Sequence, residues 1–229
     1  MQTSERVRKK QLRDDLPKPY NPLSGYLKGR FGCKVFKVTI DAGFTCPNRD
    51  GTKGYGGCVY CNSEALVPRD YAGAVDIGVQ LRLGINKGRS RHKAEKFIAY
   101  FQMNTNTHGP VDQLRRIYDE ALIPEVAGVA ISTRPDCLSD EVIEILSEIK
   151  EKRGLWLELG LQSSNDATLE RINRGHTAAE FVWAVERAHR AGIDVCAHII
   201  IGLPGEGRQE ALATAALVAD LDLWGVKFH

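Results

Sequence analysis

The sequence predicts an α/β domain in which six parallel strands alternate with helices. Three observations carry this. Short runs such as Lys96–Phe101 and Leu155–Leu161 are almost continuously apolar, as expected of strands covered on both faces. The segments between the runs carry apolar residues at helical spacing together with cap residues. The polar residues of interest fall just after the apolar runs, where parallel α/β folds place their ligands.

Residues 1–32 are expected to form an irregular N-terminal segment ahead of a core domain over 33–229. Pro17, Pro19 and Pro22, with Asn21, Ser24 and Gly25, read as turns. The basic run from Arg6 to Arg13 reads as a solvated terminus, the alternative being an arm that touches nucleic acid or a partner. Strands are predicted over Val35–Ile40, Lys96–Phe101, Gly128–Ser132, Leu155–Leu161 and Asp194–Ile201. A sixth begins at Gly225 and meets the end of the sequence, so a domain truncated at that strand is expected.

The helices follow from caps and spacing. Ser139 caps a helix whose inward face is Val142, Ile145, Leu146 and Ile149. Thr177 and Glu180 form a capping box, and that helix buries Phe181, Val185 and Ala188 and stops at Gly192. Further helices are read over Asp76–Asn86, Asp112–Leu122 and Glu210–Leu221. The order β(αβ)5 suits either an open doubly wound sheet or an incomplete barrel, and periodicity alone leaves both open.

Composition narrows the class of function. The chain has 31 Lys and Arg against 29 Asp and Glu, a net charge of +2, so its overall field does not draw it to nucleic acid. No stretch is long and apolar enough to span a bilayer, and the basic start lacks the apolar segment of a signal peptide. A cytoplasmic protein with reduced thiols is expected. Its 6 cysteines then point to metal binding or chemistry rather than disulfides.

Three of them form one motif, Cys46-x11-Cys58-x2-Cys61. The Cys-x2-Cys pair brings two thiolates to one centre, and Gly51, Gly54, Gly56 and Gly57 let the intervening backbone wrap closely around a buried body. Three thiolates leave one coordination position open, whereas structural zinc normally has all four filled by protein. Iron–sulfur and zinc both suit thiolates. Cys33, Cys137 and Cys196 stand apart and read as small buried hydrophobes. Other candidates follow the strands: Gln102, Asn104 and Thr105 after the second, Ser132 at the end of the third, and Glu158, Gln162 and Ser163 on the fourth. A carboxylate inside Leu-Trp-Leu-Glu158-Leu-Gly-Leu is costly without a partner, which marks it out. His198 lies on the fifth apolar run, where a satisfied core histidine is an equally good reading.

The loop Cys46-Pro-Asn-Arg-Asp-Gly-Thr…Gly-Gly-Cys58-Val-Tyr-Cys61-Asn, after the first strand of a parallel α/β domain, resembles the radical S-adenosylmethionine (SAM) superfamily. The expanded first gap departs from the usual Cys-x3-Cys-x2-Cys. It resembles the Elongator-type branch, and most closely a bacterial radical SAM family with the same loop. The resemblance extends from about Gly25 to the end, through Glu158-x-Gly-x-Gln162-Ser163, Asn173-Arg174-Gly-His and Gly202-Leu-Pro204-Gly-Glu. It implies a (β/α)6 incomplete TIM-like barrel. It also implies a 4Fe–4S cluster on Cys46, Cys58 and Cys61, with SAM bound at the open iron. Reductive cleavage of SAM would then give a 5′-deoxyadenosyl radical that takes hydrogen from a substrate, possibly RNA. An electron donor such as a flavodoxin or ferredoxin is implied as partner.

By the same resemblance Gln102, Asn104 and Thr105 stand in for an absent Gly-Gly-Glu and meet the SAM amino group. Gln162 contacts SAM, Arg174 pairs with its carboxylate, and Tyr60, Gly202 and Pro204 lie against the adenine. The alternative in another class is a zinc- or cluster-binding module without catalysis.

Overall fold

The computed structural model describes residues 19–62 and 76–229. The basic run 6–13 lies outside them. The elements, in chain order, are α1 (Leu23–Phe31), β1 (Val35–Ile40), α2 (Ile77–His92), β2 (Lys96–Phe101), α3 (Val111–Glu120) and β3 (Val126–Thr133). They continue with α4 (Asp140–Lys152), β4 (Gly154–Gln162), α5 (Asp166–Arg171), α6 (Ala178–Arg190), β5 (Asp194–Ile199), α7 (Arg208–Ala219) and β6 (Gly225–Phe228).

Helices α1 and α5 were not read from the sequence. Residues 23–31, read as irregular, form helix α1, with Pro22 as its N-cap and Gly32 in the left-handed conformation as its C-cap. Pro22 and Gly25 read as turn residues, and the helix has no apolar stripe to announce it. Proline is nonetheless well placed at a helix start, where its missing N–H costs nothing.

All six strands pair in parallel, in the order β1-β2-β3-β4-β5-β6. A doubly wound sheet reverses direction at a switch point. This order never reverses, so the sheet curls into a half-barrel with β1 and β6 as its edges. The larger core lies between the convex face and the helices: Val38, Phe97, Phe101 and Leu157 meet Leu81, Leu146 and Phe181. Side chains alternate along each strand. The concave face therefore carries the other set, in which Ile98, Tyr100, Ala130, Trp156 and Cys196 form a smaller cluster.

The caps predicted at Ser139, which accepts from Val142 N, and at Thr177, which closes a capping box with Glu180, are present; Asp76 also caps α2, accepting from Val79 N. Helix α2 runs on past the expected Asn86 to His92.

Candidate functional site

The loop after β1 is fixed by its own backbone and by the segment after α5. Cys46 O accepts from Arg49 N at 2.7 Å and Asp50 N at 3.1 Å, and Asn48 O accepts from Gly57 N at 2.8 Å. Cys58 O accepts from Cys61 N at 2.9 Å, the tight turn that the Cys-x2-Cys spacing implies. The long arm folds back on residues 172–175. Val59 N donates to Ile172 O at 3.1 Å, Asn173 Nδ2 donates to Gly57 O at 2.8 Å, and Lys53 Nζ to Gly175 O at 3.0 Å. The buried Asn48 side chain donates to Asn173 O and to Cys58 Sγ. Gly57, at φ 74°, lies in the left-handed region that glycine favours.

This loop brings Cys46, Cys58 and Cys61 onto the wall of one cavity of about 180 Å3 at the carboxyl ends of the strands. Tyr60, Gln102, Asn104, Thr105, Ser132, Glu158, Gln162, Arg174 and His198 line the same cavity. Among the described residues no three His, Cys, Asp or Glu side chains converge on a single-ion site.

Arg174 and Arg134 carry the positive charge of this end. Arg174 is buried and directs three donors at once: Nε to His176 Nε2 at 2.8 Å, Nη1 to Cys58 Sγ at 3.7 Å, and Nη2 to Gly160 O at 2.8 Å. Gly160 has no room for a side chain, because a Cβ would sit 2.5 Å from both Arg174 Nη2 and Gln162 Nε2. Arg134 pairs with Asp136 through two 2.9 Å contacts and donates to Arg174 O at 2.8 Å. Burial opposes ionisation of the Cys58 thiol, but the Arg174 charge and hydrogen bond overcome it and hold the thiol below its ordinary value. By contrast burial pushes the Cys137 and Cys196 thiols up to about 12, as inert structural cysteines behave.

Glu158 is the centre of the concave face. Its carboxylate accepts from Lys37 Nζ, from Tyr100 OH at 2.7 Å, from His198 Nε2 at 2.8 Å and from Trp156 Nε1 at 3.2 Å, and Lys227 Nζ lies 3.5 Å away. Burial disfavours its charge, yet the His198 hydrogen bond and the Lys37 charge hold the carboxyl far below the usual carboxylate range. Burial, with the neighbouring lysines, lowers the basicity of His198 despite Glu158.

Three expected contacts stand elsewhere. Ser163, Gly202 and Pro204 do not line the cavity. Ser163 follows the irregularity at Gly160/Gln162 and turns its hydroxyl to Glu206, while Pro204 O is taken by Arg171 Nη1 at 2.7 Å. Residues the sequence did not single out do line it: Arg49, Tyr100, Thr133, Arg134, Lys227 and His229. Lys227 sits in the same strand alternation that exposed Glu158. The role of Arg134 depends on a partner 40 residues away and has no local sign.

No helix among the described residues is long and apolar enough to cross a membrane. The family model of the radical SAM superfamily matches residues 46–218. The Bacillus subtilis (strain 168) protein YtqA is 46% identical over 93% of this chain and 66% of its own length. Protein YhcC of Escherichia coli (strain K12) is 41% identical over 93% of this chain and 69% of its own. The chain thus spans about two thirds of the length of these curated relatives. Among solved structures, the archaeal Methanocaldococcus infernus Elp3 superposes with a TM-score of 0.61 at 17% identity, over 85% of this chain and 45% of that one. At that identity the likeness speaks for the fold.

Proposed function

The chain belongs to the radical SAM superfamily, and on that premise we propose that Cys46, Cys58 and Cys61 hold a 4Fe–4S cluster to which SAM binds. The observation that carries this reading is that the three loop thiols share one cavity wall with the polar ends of the second to fifth strands. Once bound and reduced, the cluster and SAM supply a 5′-deoxyadenosyl radical for removing hydrogen from a substrate.

The residues of the chain bind and orient. Arg174 has five N–H groups and uses three, so two remain for the SAM carboxylate in the bidentate geometry a guanidinium favours. The side-chain oxygens of Gln102, Asn104 and Thr105 accept from its ammonium. Gln162, at φ 73°, turns its amide to the same wall. Tyr60 lies between two of the thiols and offers its ring to the adenine. A cytoplasmic setting keeps the thiols reduced, and a flavodoxin or ferredoxin serves as electron donor.

Anaerobic reconstitution with iron and sulfide tests the reading. Brown protein that forms 5′-deoxyadenosine from SAM in the presence of a reductant is expected. Cys46→Ala, Cys58→Ala and Cys61→Ala should each lose the cluster, and Cys137→Ala and Cys196→Ala should keep their iron. A colourless zinc protein, or full cluster occupancy in Cys46→Ala, overturns it.

A further inference from the structure

A second cavity, of about 450 Å3, opens along the seam of the half-barrel between α1, β1 and β6. That is within the range of small-molecule sites. Its walls are aromatic. Tyr26 meets Trp224 edge-on with ring centroids 5.4 Å apart, and Trp224 tilts over Trp156 at 5.1 Å.

One end of this cavity is charged, and its charges do not balance. Lys37 on β1 and Lys227 on β6 approach from the two edge strands and share one carboxylate, Glu158. Glu158 is already engaged by Lys37, Tyr100, Trp156 and His198. Lys227 reaches it only at 3.5 Å and donates more closely to Tyr100 OH, at 3.1 Å. The Lys227 side chain is 34% exposed, against 2% for Glu158, and it lines both this cavity and that of the cysteine loop. Among the described residues lining the cavity there are two ammonium groups and one carboxylate. A half-buried cation beside apolar walls attracts an anion far more strongly than it would in water.

We propose that the seam cavity takes a ligand with a planar aromatic body and a carboxylate or phosphate group. The anion pairs with Lys227 and Lys37, and the ring lies among Tyr26, Trp156 and Trp224. Glu158 and Lys227 also line the cavity of the cysteine loop, so the ligand's charged end is held beside that site. That this ligand is the substrate rests on the reading above; its anionic, aromatic character does not.

Two of the 3 tryptophans line the seam, so their fluorescence reports on it. The exposed Trp183 is replaced, as Trp183→Phe, to remove background. This chain, without iron, sulfide or SAM, is titrated with 4-nitrobenzoate, 4-nitrophenyl phosphate and the uncharged 4-nitrobenzamide. At least one anion should quench at concentrations about tenfold or more below the amide, and the stronger of the two identifies the anionic group. Lys227→Met should weaken that anion by about tenfold to a hundredfold, the usual loss of a charged contact, while Lys227→Arg keeps it. An amide that binds as well as both anions, or no quenching at all, overturns the proposal on the parent chain alone. Undiminished anion binding in Lys227→Met overturns it too. A failure to assemble a cluster leaves this result untouched, and a loss of anion preference leaves the cluster reading untouched.

Discussion

Asn48 and Arg174 each place an N–H donor 3.7 Å from the Cys58 sulfur. Donors to a cluster sulfur stabilise the more negative, reduced state, so they raise the reduction potential. On the proposed reading, Asn48→Ala should therefore lower the midpoint potential of the reconstituted cluster, read by redox titration, with iron content near that of the parent. An unchanged potential at full iron loading would place Asn48 outside the cluster's electrostatics. The asymmetry between Asn48 and its neighbours also says what a sequence discloses. Cys46, Cys58 and Cys61 declare themselves by spacing, and Glu158 by being charged within an apolar run. Asn48 is one polar residue in a polar loop. Its meaning comes from Asn173, 125 residues on, and from Cys58, and no local pattern encodes either contact.

Helix α2 shows the same limit one level up. Its start near Asp76 was legible, but its end was placed at Asn86 rather than His92; it contains Gly84 and Gly88, and glycine weakens a helix by up to about 1 kcal/mol. The helix continues because those glycines let it lie close on the sheet. A Cβ at Gly88 would meet Phe97 Cε1 at 2.7 Å and Phe36 Cδ1 at 3.0 Å, and one at Gly84 would run into Val38. Gly84→Ala thus sets a propensity gain of about 1 kcal/mol against overpacking of typically 1–3 kcal/mol. Val38 is β-branched and fully buried, with little freedom to turn aside. Net destabilisation is expected, measurable as a lower urea midpoint with an unchanged slope. A more stable Gly84→Ala would show that the packing yields where the geometry says it is tight.

At the scale of the whole molecule, strand number, parallel direction and chain order were all legible, because each is a periodicity or a cap. The choice between an open sheet and a half-barrel was not, because it depends on which strands pair. What the sequence did contain was Glu158, and in the folded chain this residue links the entire sheet. Lys37 reaches it from β1, Tyr100 from β2, Trp156 from β4, His198 from β5 and Lys227 from β6. The β3 strand joins through Ser132, which donates to Tyr100 OH at 3.0 Å. The two edge strands of the half-barrel are thereby tied to one buried charge, and removing that charge leaves two lysines without their counterion. Breaking a buried pair in this way costs about 3–5 kcal/mol, so Glu158→Gln should be less stable at pH 7 by an amount of that order. Because the folded carboxyl is held below its ordinary value of 4.5, its contribution is fully present above that pH. It is lost as pH falls towards the folded value. The parent chain should lose stability steeply below about pH 5, the variant less steeply, and the two should converge in acid. Urea unfolding of both chains at pH 7, 5 and 3.5 measures this. A gap that stays constant with pH would mean that Glu158 contributes through packing, and that the half-barrel does not depend on its charge.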